Sequence, residues 1–545
     1  MTALLPTSAV LGFAMLFLLG PTQVLFGQNE SKPVTKITGR IVDAETKALI
    51  PARLEIRSVA GKAYFAKSAD PKRPAIAYSK KAGKSSFEEH VTLEATEFTA
   101  GLPAGKYLFR AQRGKEFLIA EKSVEIGSES AQVVLELKRW VDMPVLGWYS
   151  GDVHGHRPFA DVLNLAMAED VHASFPLSNW VTKAEAGLNS GNLIRPALPA
   201  TSKTVFVDER HFVHPWNAEF EIFTVKGKGH TLGAILGIGM RDIGDPVALP
   251  LAPFVQSVRS QGGLLDLEKH SWPWSYAIAA THKVDLIELA NNHVWQTPFA
   301  FGNWTIEETA PYMNLERTAE GLTEWGWIDF GFQTWYTMLN CGLKIMPSAG
   351  TGSGVHPVPH GFGRVYAKIE GKLTLESWLA ALKVGKSFVT TGPLLRVEID
   401  GKASGETFAG PFLKPLALRG IIHSTQPIDR VEIIHNGRVE KRIRHEGCPR
   451  DKGGFDTVFQ ATLEPKNSGW YAVRVFEADP QARVRFAHTA PWFVEVAGKP
   501  LKPGTQQLDH ILKTIDREIA RNKEVLSEDA LAEFEEAKKF YQGLR

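Results

Sequence analysis

The chain carries Asp152-Val153-His154-Gly155-His156 directly after the strand-like run Pro144-Val145-Leu146-Gly147-Trp148-Tyr149. In an extended segment alternate side chains point the same way, so His154 and His156 emerge together, with Asp152 two residues before them. Two imidazoles projecting from one strand end into one space form the start of a metal site, since neutral imidazole is the commonest ligand for zinc and similar ions. Asp161, five residues past His156, is close enough to return to that site from a loop. Asp152 reads as a partner that orients a histidine or the loop.

The elements that must position these residues lie between about 145 and 395, where apolar strand-like runs alternate with helical stretches, as in an α/β domain. Glu219 sits in the run 218–224, and His230 follows Gly229 in the next segment. His270 lies beyond the run 262–267, and Asn292-His293 beyond 284–290. Polar side chains at the carboxyl ends of successive strands are where barrel enzymes place their chemistry. Asp161 and the histidines at matching strand ends, His154, His156, His230 and His270, favour a shared site. This mixed nitrogen and oxygen set suits one or two divalent ions of zinc, manganese or iron. Such ions polarise an ester, phosphoester or carbamate oxygen and bring the pKa of bound water to about 7. No Ser/His/Asp elbow or Cys/His pair argues for a covalent route.

Arg157, Trp180, Trp272, Asn292 and His293 are the substrate-binding candidates. The tryptophans at 148, 180, 216, 272 and 274 fit either a wall for a flat or sugar-like substrate or ordinary core packing. Arg157 and Lys269 flank ligands and fit either an anionic group or a solvated role.

The segment Gly-Trp-Tyr-Ser-Gly-Asp-Val-His-Gly-His at 147–156, with Asp161, resembles the opening D-x-H-x-H…D motif of the polymerase-and-histidinol-phosphatase (PHP) superfamily, and within it the carbaryl-hydrolase-like branch of metallohydrolases. Glu219 matches that family's G-x-E acid, Gly229-His230 its G-H ligand, and Gly263 to His270 its G-G…H ligand. The segment 375–393 resembles the one that closes such domains. The resemblance implies a distorted PHP-type (β/α) barrel over 141–395 acting as a metal-dependent hydrolase. Two departures stand out. Asn179 and Trp180 replace a usual D-H pair, and the run Ser348 to His356 has glycines where a D-x-H would fall, leaving His356 or His360 to substitute from a loop. The alternatives are a catalytically degenerate fold that binds an extracytoplasmic ligand such as a polysaccharide, and a structural envelope protein.

A chain of 545 residues exceeds one core, so several domains are expected. A formal net charge of +2 provides no basic excess to collect phosphates and excludes a typical nucleic-acid binder. The partner is instead a small-molecule or saccharide-like substrate. Residues 1–27, apolar from Ala9 to Phe26, read as a secretory signal or an uncleaved anchor, so the body is expected to be secreted or periplasmic, with no membrane span once the signal is removed. Residues 34–140 alternate as strands, and "G-x-I-x-D … G-L-P-A-G-K-Y" resembles the carboxypeptidase-regulatory-like sandwich. Residues 396–497 read as a second β-sandwich. Residues 505–545 show helical spacing, for a hairpin packed on the body or a dimerisation element. The whole is a multidomain α/β chain. Its two cysteines, Cys341 and Cys448, fit one bridge or two free thiols.

Overall fold

The computed structural model describes residues 34–82, 86–190, 202–295, 309–411 and 414–545. The expected signal, 1–27, lies outside them. The fold is mixed α/β and strand-rich, and no helix among the described residues is long and apolar enough to cross a membrane.

Residues 34–137 form two packed sheets. One orders Ala131–Leu137, Val34–Asp43, Phe98–Pro103 and Lys67–Ser68; the other is built on Ala52–Ser58, Ser86–Leu93 and Gly105–Gln112. Alternation along Val34–Asp43 turns Ile37 and Ile41 inward onto Leu54, Phe98, Phe109 and Leu135. Each such burial is worth roughly 1.5–3 kcal/mol. Gly39 has no alternative there, because a Cβ would lie 2.2 Å from the Phe98 ring. The hairpin of Ile76–Ala82 and Ser86–Leu93, which pairs Tyr78 with His90 and Lys80 with Glu88, leans onto the next domain.

That domain contains two sheets. In the first, Trp148–Gly155 lies between parallel Ala173–Pro176 and antiparallel Arg364–Lys368. The second orders Asn179–Lys183, Ala218–Val225, Lys228–Ile238, Leu264–Leu267, Leu286–Ala290 and Met346–Ala349. Helices α1 (Phe159–Ala168), α2 (Ala252–Ser260), α3 (Ser275–His282), α4 (Glu324–Asn340) and α5 (Leu375–Val384) connect the strands. The described ladders do not close into one ring. The alternation is broken where Ala218–Val225 turns straight back into antiparallel Lys228–Ile238 through Lys226 and Gly227, both at positive φ. A bridge between Gly155 and Ser353 brings the chain that leaves the second sheet onto the first.

The first sheet continues beyond the expected boundary at 395. Ser387–Thr390 pairs with Phe486–Thr489, which pairs with Gly469–Glu477 and through it with Ile428–His435. One core accordingly joins Trp148, Tyr366 and Phe388 to Leu395, Val431 and Trp492. Helices α6 (Thr505–Asn522) and α7 (Glu528–Gln542) pack on the body through Leu508, Ile511, Ile515, Phe534 and Tyr541. The Glu533 carboxylate accepts from Leu251 N and Ala252 N at the α2 N-terminus, a favourable place for a negative charge. Cys341 and Cys448 are both free thiols, one buried and one exposed.

A buried ionic knot fastens the N-terminal sandwich to the α/β domain. Asp170 lies 3.0 Å from Arg139 and 3.3 Å from both Arg113 and His211. Burial would raise the Asp170 carboxyl, but the two guanidiniums hold it well below the usual carboxylate range. With two arginines on its carboxylate, the Asp170–His172–His211 group is a structural junction with little room for a cation.

Candidate metal centre

The His154 strand ends inside the protein, where His154 and His156 are 2 % and 7 % exposed. Their Nε2 atoms face each other at 2.9 Å and lie 3.6 and 3.4 Å from one Glu219 oxygen. Ligands held about 2.1 Å from a tetrahedral ion lie about 3.4 Å from each other, so these three atoms have the spacing of one coordination face. Neither Glu219 oxygen has a hydrogen-bond donor, and neither does His156 Nδ1. Burial alone would strip the proton from His154, yet Glu288 and Glu219 hold its pKa up at about 10. Burial presses His156 down to about 3, with the His154 charge contributing. The facing pair thus carries one proton where a cation would fit.

Strand direction accounts for Glu219. It is the second residue of Ala218–Val225 and pairs with Trp180 on one side and Leu236 on the other. It therefore enters the site from the start of its strand, whereas His154 enters from an end.

Further carboxylates surround these three residues. His154 Nδ1 lies 3.1 Å from Glu288 and 3.9 Å from Glu268. With an ion at Nε2 in place of the proton, donation from Nδ1 to Glu288 would fix the tautomer whose Nε2 lone pair faces His156 and Glu219. Glu268 contacts Lys269. Glu219, Glu221 and Glu268 make a second three-donor group, so Glu219 belongs to two adjacent groups. Burial, then neighbouring carboxylates, pushes Glu221 up to about 7 and Asp266 well above its usual range. This region has more buried carboxylates than cations to balance them, as expected of a site that holds a metal ion.

The loop after Met346–Ala349 packs directly on the histidine strand. Gly352 N donates to His154 O at 2.8 Å, and His156 N donates to Ser353 O at 2.7 Å. A Cβ on Gly350 would fall 2.2 Å from a Glu288 oxygen and 2.4 Å from His154 Cβ. The glycines that stand where a D-x-H was expected are therefore needed for close backbone approach. Asp152 fastens the same loop, accepting from Thr351 N at 3.1 Å, Gly361 N at 2.8 Å and the Thr351 hydroxyl. His360 is held between Asp152, at 3.1 Å, and Ser174, at 2.8 Å.

The remaining candidates are distributed unevenly. His230 stands at the start of Lys228–Ile238, six residues from Leu236 and so roughly 20 Å along the strand from the Glu219 level. Its Nε2 meets Asn522 of α6 at 2.6 Å. Asp161 lies in the first turn of α1, belongs to none of the donor groups, and has Arg157 as its charged neighbour. The His270 ring sits among aromatics, 4.8 Å from Trp327 and 4.9 Å from Phe330, with neither ring nitrogen hydrogen-bonded, and burial lowers its pKa to about 3. Gly331 leaves room for it, since a Cβ there would sit 3.2 Å from the ring. His293 stacks on the same Trp327 at 4.8 Å, and His356 lies 6.4 Å from His293.

Trp180 meets the His156 ring edge-on at 4.8 Å and donates to Glu221. The Lys269 ammonium lies 5.6 Å from the Trp272 ring. Asn292 is buried with both amide atoms lacking protein partners. Arg157 is engaged by Ser353 and by Glu88 of the N-terminal sandwich. The sequence reading missed Glu268 and Glu288. For Glu288 the available signal was a charged residue inside the otherwise apolar strand Leu286–Ala290, which needs a buried partner, whereas Glu268 directly follows Leu264–Leu267.

No protein-family model matches the chain, and no curated protein matches it either.

Proposed function

We propose that this protein is an exported metal-dependent hydrolase that cleaves an ester, phosphoester or carbamate bond. The observation that carries this reading is the convergence of His154, His156 and Glu219 with buried acceptor atoms that have no protein donor. The order of motifs from His154 to Pro393 resembles that of the PHP superfamily. We read the two sheets around the site as a distorted barrel of that type.

In this reading His154, His156 and Glu219 would hold one ion, and Glu221 with Glu268 would offer donors for a neighbouring one. A divalent ion held there would supply Lewis acidity to activate water and polarise the oxygen of the scissile group. The chain's own residues do the rest. Glu288 keeps His154 in the productive tautomer. Lys269 places a positive charge beside the carboxylates, where negative charge developing on substrate is stabilised. Trp180 and Trp272 wall the space, and Asn292 offers an unpaired amide to a polar substrate group.

The test is elemental analysis of the purified protein together with turnover of aryl phosphate, ester and carbamate substrates. Chelation should abolish turnover and an added divalent metal should restore it. Turnover that survives exhaustive chelation overturns the mechanism. A metal-loaded protein that turns over none of these substrates favours a ligand-binding role.

A further inference from the structure

A cavity of about 540 Å³, within the size range of small-ligand sites, lies against α4 away from the His154 group. Trp327 and Gly331 of α4 face the His270 ring, whereas Gln333, Tyr336, Thr337 and Asn340, spaced i, i+3, i+4 and i+7, present another face of the helix to the cavity. Its other walls are the turn Asn436-Gly437, which joins Ile428–His435 to Arg438–Ile443, and the segment 501–507 that leads into α6. Both turn residues have positive φ, as a two-residue hairpin requires, and a Cβ on Gly437 would lie 3.1 Å from Tyr336 Cβ.

The floor of this cleft is interlocked. Asn340 Nδ2 donates to the Asn436 carbonyl at 3.1 Å and to Gln507 Oε1 at 3.4 Å. Gln507 Nε2 donates to the Thr337 hydroxyl at 3.3 Å, and Tyr312 Oη lies 3.0 Å from the same oxygen. The rim is free. Arg438, Lys502 and Gln506 line the cavity, are exposed, and make no side-chain hydrogen bond or ion pair among the described residues. No carboxylate lines the cavity. The acidic residues nearest in sequence are engaged elsewhere: Asp329 by Arg474 at 3.5 Å, Glu440 by His435 at 3.2 Å and Asp509 by Arg545 at 2.6 Å. The first turn of α6 also contains no acidic residue, so its unused N–H groups add to the positive potential. Amides and hydroxyls supply both donors and acceptors, and the Tyr312 and Leu501 side chains supply apolar surface. That combination suits a hydroxylated ring that carries one negative charge.

We propose that this cleft is a second binding site, separate from the metal centre, for a sugar acid: a pyranose ring bearing a carboxylate, alone or at the end of a chain. Arg438 and Lys502 receive the carboxylate, and Asn436 and Gln506 receive ring hydroxyls. The site stands independently of the hydrolase reading.

The test is titration calorimetry of the full chain with D-glucuronate, D-glucose and acetate at equal ionic strength. Wild type should bind glucuronate, and glucose and acetate each at least tenfold more weakly. The double variant Arg438→Gln, Lys502→Gln should weaken glucuronate binding about tenfold or more, the scale of one charge-assisted hydrogen bond. Both side chains are exposed, so its melting temperature should match wild type, which separates loss of recognition from misfolding. An uncharged chelator, 1,10-phenanthroline, should leave glucuronate binding unchanged. No binding of glucuronate by wild type, or affinity of the double variant within twofold of wild type, overturns the proposal. Glucose or acetate bound as tightly as glucuronate overturns the ligand class. Binding lost on chelation would place the sugar acid at the metal centre and overturn the separate site, without touching the hydrolase reading.

Discussion

Glu288→Gln tests whether this carboxylate orients His154 or binds metal itself. The side chain keeps its shape and loses its charge, 3.1 Å from His154 Nδ1. Its influence on an ion at the Nε2 side acts across one imidazole ring, roughly 7 Å. At an effective dielectric of about 20, a unit charge at that distance is worth about 2 kcal/mol for each charge on the ion. Outer carboxylate partners of metal-bound histidines cost ten- to hundred-fold in metal affinity when removed, about 1.4–2.7 kcal/mol. The smaller figure is the better guide, because Gln still offers a carbonyl to Nδ1–H. Competition with a calibrated chelator at fixed pH should therefore show zinc or manganese affinity falling ten- to hundred-fold, with metal still bound at high concentration. Affinity within twofold of wild type would remove Glu288 from the site. Complete loss of metal would make it a direct ligand, consistent with the geometry of the His154–Glu268–Glu288 group.

Glu219→Ala and His156→Ala should each abolish metal binding in elemental analysis, because each removes one of three converging donors. His230→Ala should leave metal content unchanged and cost about 1 kcal/mol of stability through its Asn522 contact, measured by urea unfolding; loss of metal in that variant would contradict the geometry. Asp170→Ala strands the buried Arg113 without a carboxylate, while Arg139 keeps Glu116 at 3.0 Å, and should cost about 3 kcal/mol, seen as a lower denaturation midpoint. A change below 1 kcal/mol would mean that water relieves Arg113. Glu116 should make stability fall as pH rises, since burial and then Asp170 push its folded pKa up to about 7 from about 4.5. Its contribution is full below pH 4.5 and is lost as pH rises through 7, about 3 kcal/mol in all. Glu116→Gln should flatten that slope in denaturant melts; an unaltered slope would locate the titration elsewhere.

The sequence made the histidine pair legible because alternation along one strand is local, and nothing downstream can turn His154 and His156 to different faces. Glu219, named through the family resemblance, lies beside the histidine pair although it enters from the opposite strand end. His230 lies apart from the His154 group because its strand is antiparallel, so the residue after Gly229 begins the strand at the far end. His270 packs on Trp327 and Phe330 of α4 and joins none of the donor groups, whereas its neighbour Glu268 does. Glu288 was overlooked because attention to strand ends passed over a charge in mid-strand. The β-rich flanks were readable from alternation, but the shared sheet was not, because pairing between Ser387–Thr390 and Phe486–Thr489 spans about a hundred residues and leaves no local signature.

That shared sheet limits how the protein can be divided. A chain ending at residue 395 would keep every donor near His154 but leave Ser387–Thr390 as an open flank, its row of N–H and C=O groups seeking a partner. Tyr366 and Phe388 would lose the apolar cover they share with Val431 and Trp492. The portion that carries the His154 cluster is therefore not a portable cassette. Its outer boundary is set by strands between residues 428 and 489, so shuffling or trimming the C-terminal half should cause self-association well before it changes any residue of that cluster.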